Sequence, residues 1–598
     1  MELFSLSGFL LVSSVCALVV YFVKSTVRRH QEVSLPPGPP RLPIIGNALD
    51  FPSRNMSKIL KGLSDKYGDV VYLEVFGQPM VLLGTHDAAM DLMEKRSYKY
   101  SDRPPLDHEL PLNECWGRAG WDWAMPLLHY GSWWRRSRRV FHDCFNAGVI
   151  TRYRPVQTEA IHRFLLRLST DPTAFPEHIK HFIASSIIRV AYGVDIDKER
   201  TPYLAIATDA MAAFAATFVP GKYLVETLPI LRFIPGWFPG VQFKKDGKVR
   251  TPLVQKLTDT PWDACMAAIV SRLVPLSRRR SLVSRGEGGA PPSVVTDLME
   301  RASQLEEPTK TEEIQIAKAT AAAAYAGTRV VRVYHSDMIA DDDLNHHKGV
   351  RIRCEFYHSD TSELPDTPGT AQLYSTLMTL FFAMASYPQV LERAHRELDA
   401  VVGSSRLPDF DDAPALPYIT AIMKECLRWR IVLPLGLMRR TTEDDEYRGY
   451  YIPKGTFIIP NAWWVSLSLA QLLACLIQNV DRAFTRDPRH YPNPEEFKPE
   501  RYLKDGMIDP DVQDPNDIAF GYGRRACPGR EFAEAVLFAV MASILHTFRI
   551  SPALDERGMP LPLESKMSDG VALSISEPFK CTIAVRSAEA EALINAAN

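Results

Sequence analysis

Several features are scarce or absent in this sequence, and each absence argues against a class of protein. The chain has almost no net charge, since 69 Lys and Arg residues face 71 Asp and Glu residues, which argues against a nucleic-acid binder that works through bulk positive charge. Nine cysteines, an odd number without a CxxC pair, support neither a disulfide scaffold nor a zinc ribbon and favour a reducing compartment. Glycine (32 residues) is rarer than proline (45), so collagen and flexible-linker arrays do not fit.

What is present indicates one large globular domain. Of the 598 residues, 46% are hydrophobic and 23% are charged, which is ordinary for a globular protein and rules out intrinsic disorder. The length allows about four domains, but no long Gly/Ser linker divides the chain. Apolar residues recur at helical spacing in 388–402 and 531–548, whereas 70–84 reads as a small hairpin. We therefore predict a mainly α fold with small β-sheets.

The N-terminus carries an uncharged run over residues 8–23. With its flanks, this run approaches the about 20 residues that cross a bilayer. Basic residues follow it and only Glu2 precedes it, so the positive-inside rule places the remaining chain in the cytosol. A cleaved signal peptide is the alternative, but the sequence has neither its basic n-region nor its small-residue cleavage site. We predict a membrane anchor with its basic flank over 1–30, a proline-rich hinge over 31–45 and the functional domain over 46–598.

The segment 519–535 is the most informative part of the chain. Its glycines match a permissive dinucleotide-binding pattern, but no clear βαβ unit surrounds them and no acid follows at the required distance. A plain turn before a helix, with Cys527 as a small buried residue, is a second interpretation. In the third, Gly521 and Gly523 let the backbone approach a flat ligand. Pro528-Gly529 then leads into a helix near Arg530, whose N-terminal N–H groups favour a thiolate on Cys527.

Spelled with wild cards, Phe520-x-x-Gly523-x-Arg525-x-Cys527-x-Gly529 resembles the haem-binding signature of the cytochrome P450 family. The resemblance runs from about residue 36 to about residue 585. It implies a single haem–thiolate domain in which Cys527 is the axial thiolate ligand of the iron of haem b. It also implies that Arg525 pairs with a haem propionate and that Phe520, Gly523 and Gly529 contribute to cofactor binding.

Two further motifs support this resemblance. Glu425-Cys-Leu-Arg428 is an ExxR sequence, whose i, i+3 spacing puts both charged side chains on one helix face. The sequence Pro-Glu-Arg-Tyr at 499–502 resembles the family's PERF box and contributes Arg501. The resemblance implies that Glu425, Arg428 and Arg501 form a triad beneath the haem. Its expected function is to hold the cysteine loop, since a buried carboxylate needs cationic partners.

Additional haem contacts are implied upstream of the cysteine loop. The segment 131–146 resembles the family's WRxxR helix, which implies that Trp134 and Arg138 contact the propionates; a merely basic surface helix is the alternative. The segment 438–456 also matches the family, with Arg439 where many relatives have His. We assign a propionate contact to Arg440 and keep Arg439 as the alternative.

The helix that crosses the haem face in this family is interrupted in this sequence. The family pattern A-G-x-D-T supplies an acid and an alcohol for proton delivery, but here the helical pattern ends at Gly327 and Asp360-Thr361 follows only after the insertion 328–359. Asp360 and Thr361 are therefore provisional catalytic residues, with Thr328 and Thr370 as rivals.

Two other segments, 273–284 and 464–482, also interrupt the family pattern. A histidine-based metal site in 328–359, a second membrane helix within 464–478 and a surface loop at 273–284 are alternative explanations. The histidines of 328–359 lack the regular spacing of metal ligands, and the run 464–478 is too short to span a bilayer. Our preferred hypothesis is that all three segments are translated non-coding sequence from an imperfect gene model.

The resemblance implies a monooxygenase, most similar to fungal microsomal enzymes of secondary metabolism. Such an enzyme inserts one oxygen atom from O₂ into a hydrophobic small molecule, by hydroxylation or epoxidation of a terpenoid, polyketide, steroid or aromatic. Electrons would come from NADPH through a separate cytochrome P450 reductase. We therefore expect a single-pass protein of the endoplasmic reticulum membrane with a cytosolic catalytic domain, in contact with membrane lipid and without a nucleic-acid partner.

Candidate pocket residues follow from position alone: Phe214, Phe218, Leu433, Leu435 and Val571 align with substrate-contacting segments of the family. Two other functions remain open. One is a haem–thiolate isomerase or dehydratase, which needs neither O₂ nor a reductase. The other is a pseudo-enzyme that the insertion in the oxygen-face helix disables.

Overall fold

The computed structural model describes residues 34–43, 45–50, 56–104, 120–217, 233–235, 237–238, 242–272, 293–327, 371–432, 436–461, 484–563, 567 and 576–596. Helices form most of this structure. In chain order they are α1 (Met56–Tyr67), α2 (His86–Ala89), α3 (Ser132–Phe145), α4 (Ala147–Ile150), α5 (Arg154–Thr170), α6 (Phe175–Tyr192), α7 (Tyr203–Thr217), α8 (Gln242–Arg272), α9 (Val294–Ser303), α10 (Thr309–Gly327), α11 (Ala371–Ser386), α12 (Pro388–Val401), α13 (Pro417–Trp429), α14 (Asn516–Ala519), α15 (Arg530–Thr547) and α16 (Ala588–Ala596). A π-helical turn, Met90–Lys95, follows α2, and the 3₁₀ turns Pro499–Tyr502 and Gly523–Arg525 belong to the site described below.

The strands form small sheets. They are β1 (Val70–Val75), β2 (Gln78–Leu83), β3 (Arg439–Arg440), β4 (Asp445–Tyr447), β5 (Tyr450–Ile452), β6 (Phe457–Pro460), β7 (Leu503–Lys504), β8 (Met507–Ile508), β9 (Phe548–Pro552) and β10 (Cys581–Val585). A four-stranded sheet has the order β1-β2-β6-β3. Its first two strands are an antiparallel hairpin in which Val70 pairs with Leu83, which confirms the hairpin predicted at 70–84.

Helix α15 is the central element of the core. Its residues are buried without interruption over 536–547, and the helix packs against α5, α11, α12 and α13. Burial of apolar side chains on this scale is the main favourable contribution to folding. Cys527 lies three residues before this helix begins, so the core fixes the position of the cysteine loop.

The helices α10 and α11 precede and follow the segment 328–370, and both pack against α6. Helix α10 ends at Gly327, where the helical sequence pattern ends. The insertion 328–359 and the two interruptions at 273–284 and 464–482 lie outside the described residues.

The predicted mainly α fold with small β-sheets is confirmed, and the helices predicted at 388–402 and 531–548 agree with α12 and α15. Part of the predicted hinge is described and lies on the sheets, since the carbonyls of Ser34 and Pro37 accept hydrogen bonds from the N–H groups of Tyr451 and Tyr72. None of the helices among the described residues has both the length and the apolar character that a bilayer crossing requires. The predicted anchor lies outside the described residues.

Candidate haem–thiolate site

The cysteine loop is a tight turn between α14 and α15. The N–H of Cys527 donates to the carbonyl of Phe520 at 2.7 Å, and the N–H of Ala526 donates to the carbonyl of Gly523 at 3.0 Å. Phe520 is buried in the helical core, which attaches the start of the loop to the rest of the protein. A Cβ on Gly529 would lie 4.0 Å from the ring of Phe141 in α3, an ordinary contact distance. These bonds hold the Cys527 side chain at the start of α15.

Gly523 allows a close approach between the cysteine loop and the π-helical turn Met90–Lys95. Its φ is +53°, and a Cβ at this position would lie 2.4 Å from the carbonyl oxygen of Met93. Its N–H donates to the carboxylate of Glu94. We expected Gly521 and Gly523 to let the backbone approach a flat ligand. That expectation stays a prediction; the structure adds that Gly523 meets protein backbone, whereas a Cβ on Gly521 would meet no described atom within 4 Å.

Cys527 is accessible to solvent, although many protein atoms lie around it. Its thiol is therefore not part of the packed core. Enclosure raises the pKa of the thiol, while a hydrogen bond from the N–H of Gly529 and the charge of Arg138 lower it. Because enclosure has the largest effect, the pKa of the thiol is raised overall; haem iron, when present, would take the thiolate form of Cys527 as its ligand.

Arg525 lies next to Trp134, so the structure brings two of the predicted haem-binding residues together. Its guanidinium carbon is 4.2 Å from the centroid of the Trp134 indole. Its Nε donates to the carbonyl of Ser101 and its Nη2 to the carbonyl of Leu128, both at 2.7 Å. Within the described chain, Nη1 of Arg525 is buried and has no hydrogen-bond partner. One strong donor is therefore left for an anion.

Two further buried arginines, Arg103 and Arg439, approach Arg525. Arg103 donates from Nε to the carbonyl of Pro126 at 2.8 Å, and Arg439 donates from Nη2 to the carbonyl of Tyr522 at 2.6 Å. Burial, and then the charge of Arg103, lowers the pKa of Arg439 to about 9 and that of Arg525 to about 8. The neighbouring positive charges make the ionised state costly without an anion nearby.

The structure favours Arg439 over Arg440 as the residue that reaches this cluster. The two are neighbours on β3, and successive side chains of a strand point to opposite faces. Arg439 is buried beside the cysteine loop, whereas the guanidinium of Arg440 lies next to Gly455, where a Cβ would be 3.5 Å from Nη2. Of the two candidates, Arg439 is therefore the one buried beside the cysteine loop; the propionate contact of Arg440, or of Arg439 as its alternative, stays a prediction.

Glu425, Arg428 and Arg501 are in direct contact. Arg428 donates from Nε and Nη2 to the two carboxylate oxygens of Glu425, each at 2.8 Å, and Arg501 donates from Nε to Glu425 Oε1 at 3.2 Å. Glu425 and Arg428 are completely buried. Burial alone would raise the pKa of Glu425, but the two arginines and the N–H of Lys498 hold it below its usual value. Helix α13, which carries Glu425 and Arg428, packs against α14 and α15 on both sides of the cysteine loop.

Comparison with known proteins agrees with this geometry. The family model described as Cytochrome P450 matches residues 36–252, 368–471 and 480–581. A cytochrome P450 monooxygenase of Coprinopsis cinerea, COX2, is 32% identical over 584 residues, which cover 98% of this chain and 95% of the relative. The chain belongs to the cytochrome P450 family. Another relative of this P450 is the tryptamine 4-monooxygenase of Psilocybe cyanescens, 32% identical over 97% of this chain and 98% of its own.

Family membership makes this P450 an oxidoreductase that incorporates oxygen, and it implies a haem cofactor. The residues present fit that group. Nη1 of Arg525 has no described hydrogen-bond partner. The charges of three other arginines act on Arg525, namely Arg103, Arg439 and Arg138. Among the described residues, two acids affect the pKa values of these arginines, Asp102 and Glu94. Asp102 is already hydrogen-bonded to His129 and to the N–H of Tyr130. Glu94 already accepts a hydrogen bond from the N–H of Gly523. The excess of positive charge suits the two carboxylates of haem b.

The remaining predicted site residues of the P450 divide into two groups. Trp134 and Arg138 lie one turn apart on α3, and Arg138 is close enough to Cys527 for its charge to affect the thiol. Phe214 lies on α7 and contacts Trp121, with ring centroids 5.0 Å apart. The others lie outside the described residues: Asp360, Thr361, Phe218, Leu433, Leu435 and Val571, together with the rivals Thr328 and Thr370.

Sequence reasoning missed Arg103, Asp102 and His129. His129 Nδ1 lies 2.9 Å from Asp102 Oδ1, and the Asp102 charge in turn faces Arg525. Isolated charged residues in irregular segments have no periodicity that would reveal their position. The sequence offers only one clue, which is that Asp102 and Arg103 stand immediately before Pro104. The proline restricts the local backbone, but it does not reveal which residues Asp102 and Arg103 contact.

Proposed function

We propose that this P450 is a membrane-bound monooxygenase that hydroxylates or epoxidises a hydrophobic small molecule of fungal secondary metabolism. The observation that carries the proposal is the accessible Cys527 thiol at the start of α15, near Arg138 and the buried arginine cluster in which Nη1 of Arg525 has no described partner. Fungal relatives named as P450 monooxygenases support it. Terpenoids, polyketides, steroids and aromatics are the proposed substrate classes.

The overall reaction balances with one NADPH for each turnover. One oxygen atom of O₂ enters a C–H bond or a double bond, and the other leaves as water together with two protons and two electrons. We propose that the electrons arrive from NADPH through a separate flavoprotein reductase in the endoplasmic reticulum membrane, and that residues 1–30 anchor this chain in the same membrane. When bound, the haem supplies the activation of dioxygen.

The residues of this chain bind and orient the reactants. Cys527 would hold the iron, and Arg525 with Trp134, Arg439 and Arg138 would hold the propionates. The Glu425 triad keeps α13 in place against the loop. Asp360 and Thr361 are the proposed proton donors to the oxygen being reduced.

The proposal is tested with the full chain, expressed in yeast microsomes with a fungal NADPH–cytochrome P450 reductase. The reduced carbon monoxide complex should show the red-shifted absorption band of a thiolate-ligated haem. A panel of terpenoid, polyketide, steroid and aromatic compounds, with tryptamine included because of the named relative, should give a product that carries one ¹⁸O atom from ¹⁸O₂.

Cys527→Ser and Cys581→Ser form a matched pair for this experiment. Cys581 lies on β10, partly buried, with its pKa raised to about 12 by burial. The first variant should lose the thiolate band and the product, whereas the second should keep both. Retention of the band by Cys527→Ser would refute the proposal. Product formation without NADPH or O₂ would favour an isomerase or dehydratase instead, and a folded wild-type chain that binds no haem would indicate a pseudo-enzyme.

A further inference from the structure

A small cavity, the α6–α8 cavity, lies at the end of α6 and has a volume of about 210 Å³. Its walls come from the end of α6, the turn that follows this helix, the second half of α8 and the start of α9. Of the described residues that line it, none belongs to α3, α13, α15 or the cysteine loop. The cavity is therefore separate from the candidate haem–thiolate site.

Apolar side chains form most of the wall of this cavity. Tyr192 and Val194 line it on the α6 side, and Ala264, Ala268 and Ile269 line it on α8. Residues four positions apart share one face of a helix, so the two alanines stand one above the other. Close packing normally leaves few spaces larger than a water molecule inside a protein. The small alanine side chains leave such a space between α8 and the end of α6.

The polar groups in the wall are already bonded or out of reach. The carboxylate of Asp195 accepts hydrogen bonds from Arg163 at 3.0 and 3.2 Å. The hydroxyl of Thr296 lies 2.7 Å from that of Ser293. The Tyr192 hydroxyl is inaccessible to solvent, so it offers no bond to a molecule in the cavity. Because an ordered water needs about two to four polar partners, the cavity suits an apolar occupant better than water.

The volume of the cavity indicates the size of that occupant. An apolar cavity of about 150 Å³ holds one benzene molecule. At about 210 Å³ the α6–α8 cavity has room for a second fused ring. Lys198 and Glu199, which also line the cavity, are exposed, so one side is open to solvent and gives a path of entry. Lys198 Nζ lies 3.6 Å from the Asp195 carboxylate, and no charged group is left in the apolar part of the wall.

We propose that the α6–α8 cavity is a second binding site of this protein and that it binds a neutral bicyclic aromatic molecule. The site goes beyond the function proposed above, since it shares no residue with the haem–thiolate site. The rings lie between Tyr192 and Val194 on one side and Ala264 and Ala268 on the other. A molecule bound there contacts α6, α8 and α9 together and so holds these three helices against one another.

Indole is a neutral bicyclic probe for this site. Its binding to the haem-loaded full chain is measured by equilibrium dialysis with a saturating azole inhibitor, which ligates the haem iron and blocks the haem site. Wild-type protein should bind indole saturably under these conditions. Ala264→Leu and Ala268→Leu each put a larger side chain into the cavity and should weaken binding at least about tenfold. Ala267→Leu is the matched control and should stay within about twofold of wild type, because Ala267 is exposed on the same helix and does not line the cavity.

A lack of saturable indole binding by the azole-treated wild-type protein would overturn the proposal. Wild-type affinity in both cavity variants, or an equal loss in Ala267→Leu, would also overturn it. The thiolate band of the reduced carbon monoxide complex shows that each variant is folded. Failure of the proposed function has a different signature: a chain that oxidises a substrate with NADPH but binds no indole beside the azole keeps the function and loses only the α6–α8 site.

Discussion

Two glycines of the cysteine loop have similar backbone angles but different surroundings. Gly521 has φ +76° with open space around the Cβ position, whereas Gly523 has φ +53° with the Met93 carbonyl 2.4 Å away. The left-handed backbone costs a non-glycine residue roughly 1–2 kcal/mol. At Gly523 an unavoidable backbone collision is added to that cost.

We expect Gly523→Ala to lower the free energy of unfolding by about 2–5 kcal/mol and to yield little haem-loaded protein. Gly521→Ala should cost roughly 1–2 kcal/mol and keep its haem. Denaturant unfolding and the ratio of haem to protein measure both effects. If the two variants behave alike, the close contact with Met93 does not constrain the loop.

At the scale of secondary structure elements, the Glu425 triad connects α13 with the turn Pro499–Tyr502. Both partners of the Glu425–Arg428 pair are inaccessible to solvent, so salt screens their attraction little. Removal of one partner leaves a buried charge poorly compensated. The triad therefore connects the turn Pro499–Tyr502 to α13, and α13 in turn packs against the helices on both sides of the cysteine loop.

Arg428→Met should destabilise the protein by about 3–5 kcal/mol, and haem content should fall with it. The matched control is Arg393→Met, whose partner Glu500 lies 3.2 Å away in a pair that is about 40% exposed on both sides. An exposed pair contributes about 0–1 kcal/mol. Thermal unfolding measures the loss of stability in both variants. Equal losses would show that the buried triad stabilises the protein no more than the exposed Arg393–Glu500 pair does.

The sequence predicts those parts of the fold and site that depend on local spacing. The helical repeat in 531–548 predicts α15, and the i, i+3 spacing predicts that Glu425 and Arg428 share a helix face. The cluster of Arg103, Arg439 and Arg525 has no such signature, because its members come from three distant segments. The sequence leaves the choice between Arg439 and Arg440 open, because the face to which each side chain of a strand points depends on sheet register, which one sequence does not reveal.

For the whole molecule, the family match has two internal gaps, residues 253–367 and 472–479. These gaps contain or overlap the interruptions at 273–284, 328–359 and 464–482. We predict that the mature transcript lacks all three segments, so that α10 and α11 approach each other as parts of one helix beside α6. Sequencing of full-length cDNA checks this. A message that contains all three segments would refute the hypothesis, and the flanking sequences serve as the internal control.

The contact between the cysteine loop and the π-helical turn also has a consequence for biosynthesis. Glu94 and Gly523, which are bonded to each other, lie 429 positions apart, and a ribosome adds about 5–20 residues per second. Many seconds therefore pass between the synthesis of Glu94 and the synthesis of Gly523. The nascent chain therefore cannot form this contact during most of its synthesis, and we expect any haem to bind only late in synthesis or after it.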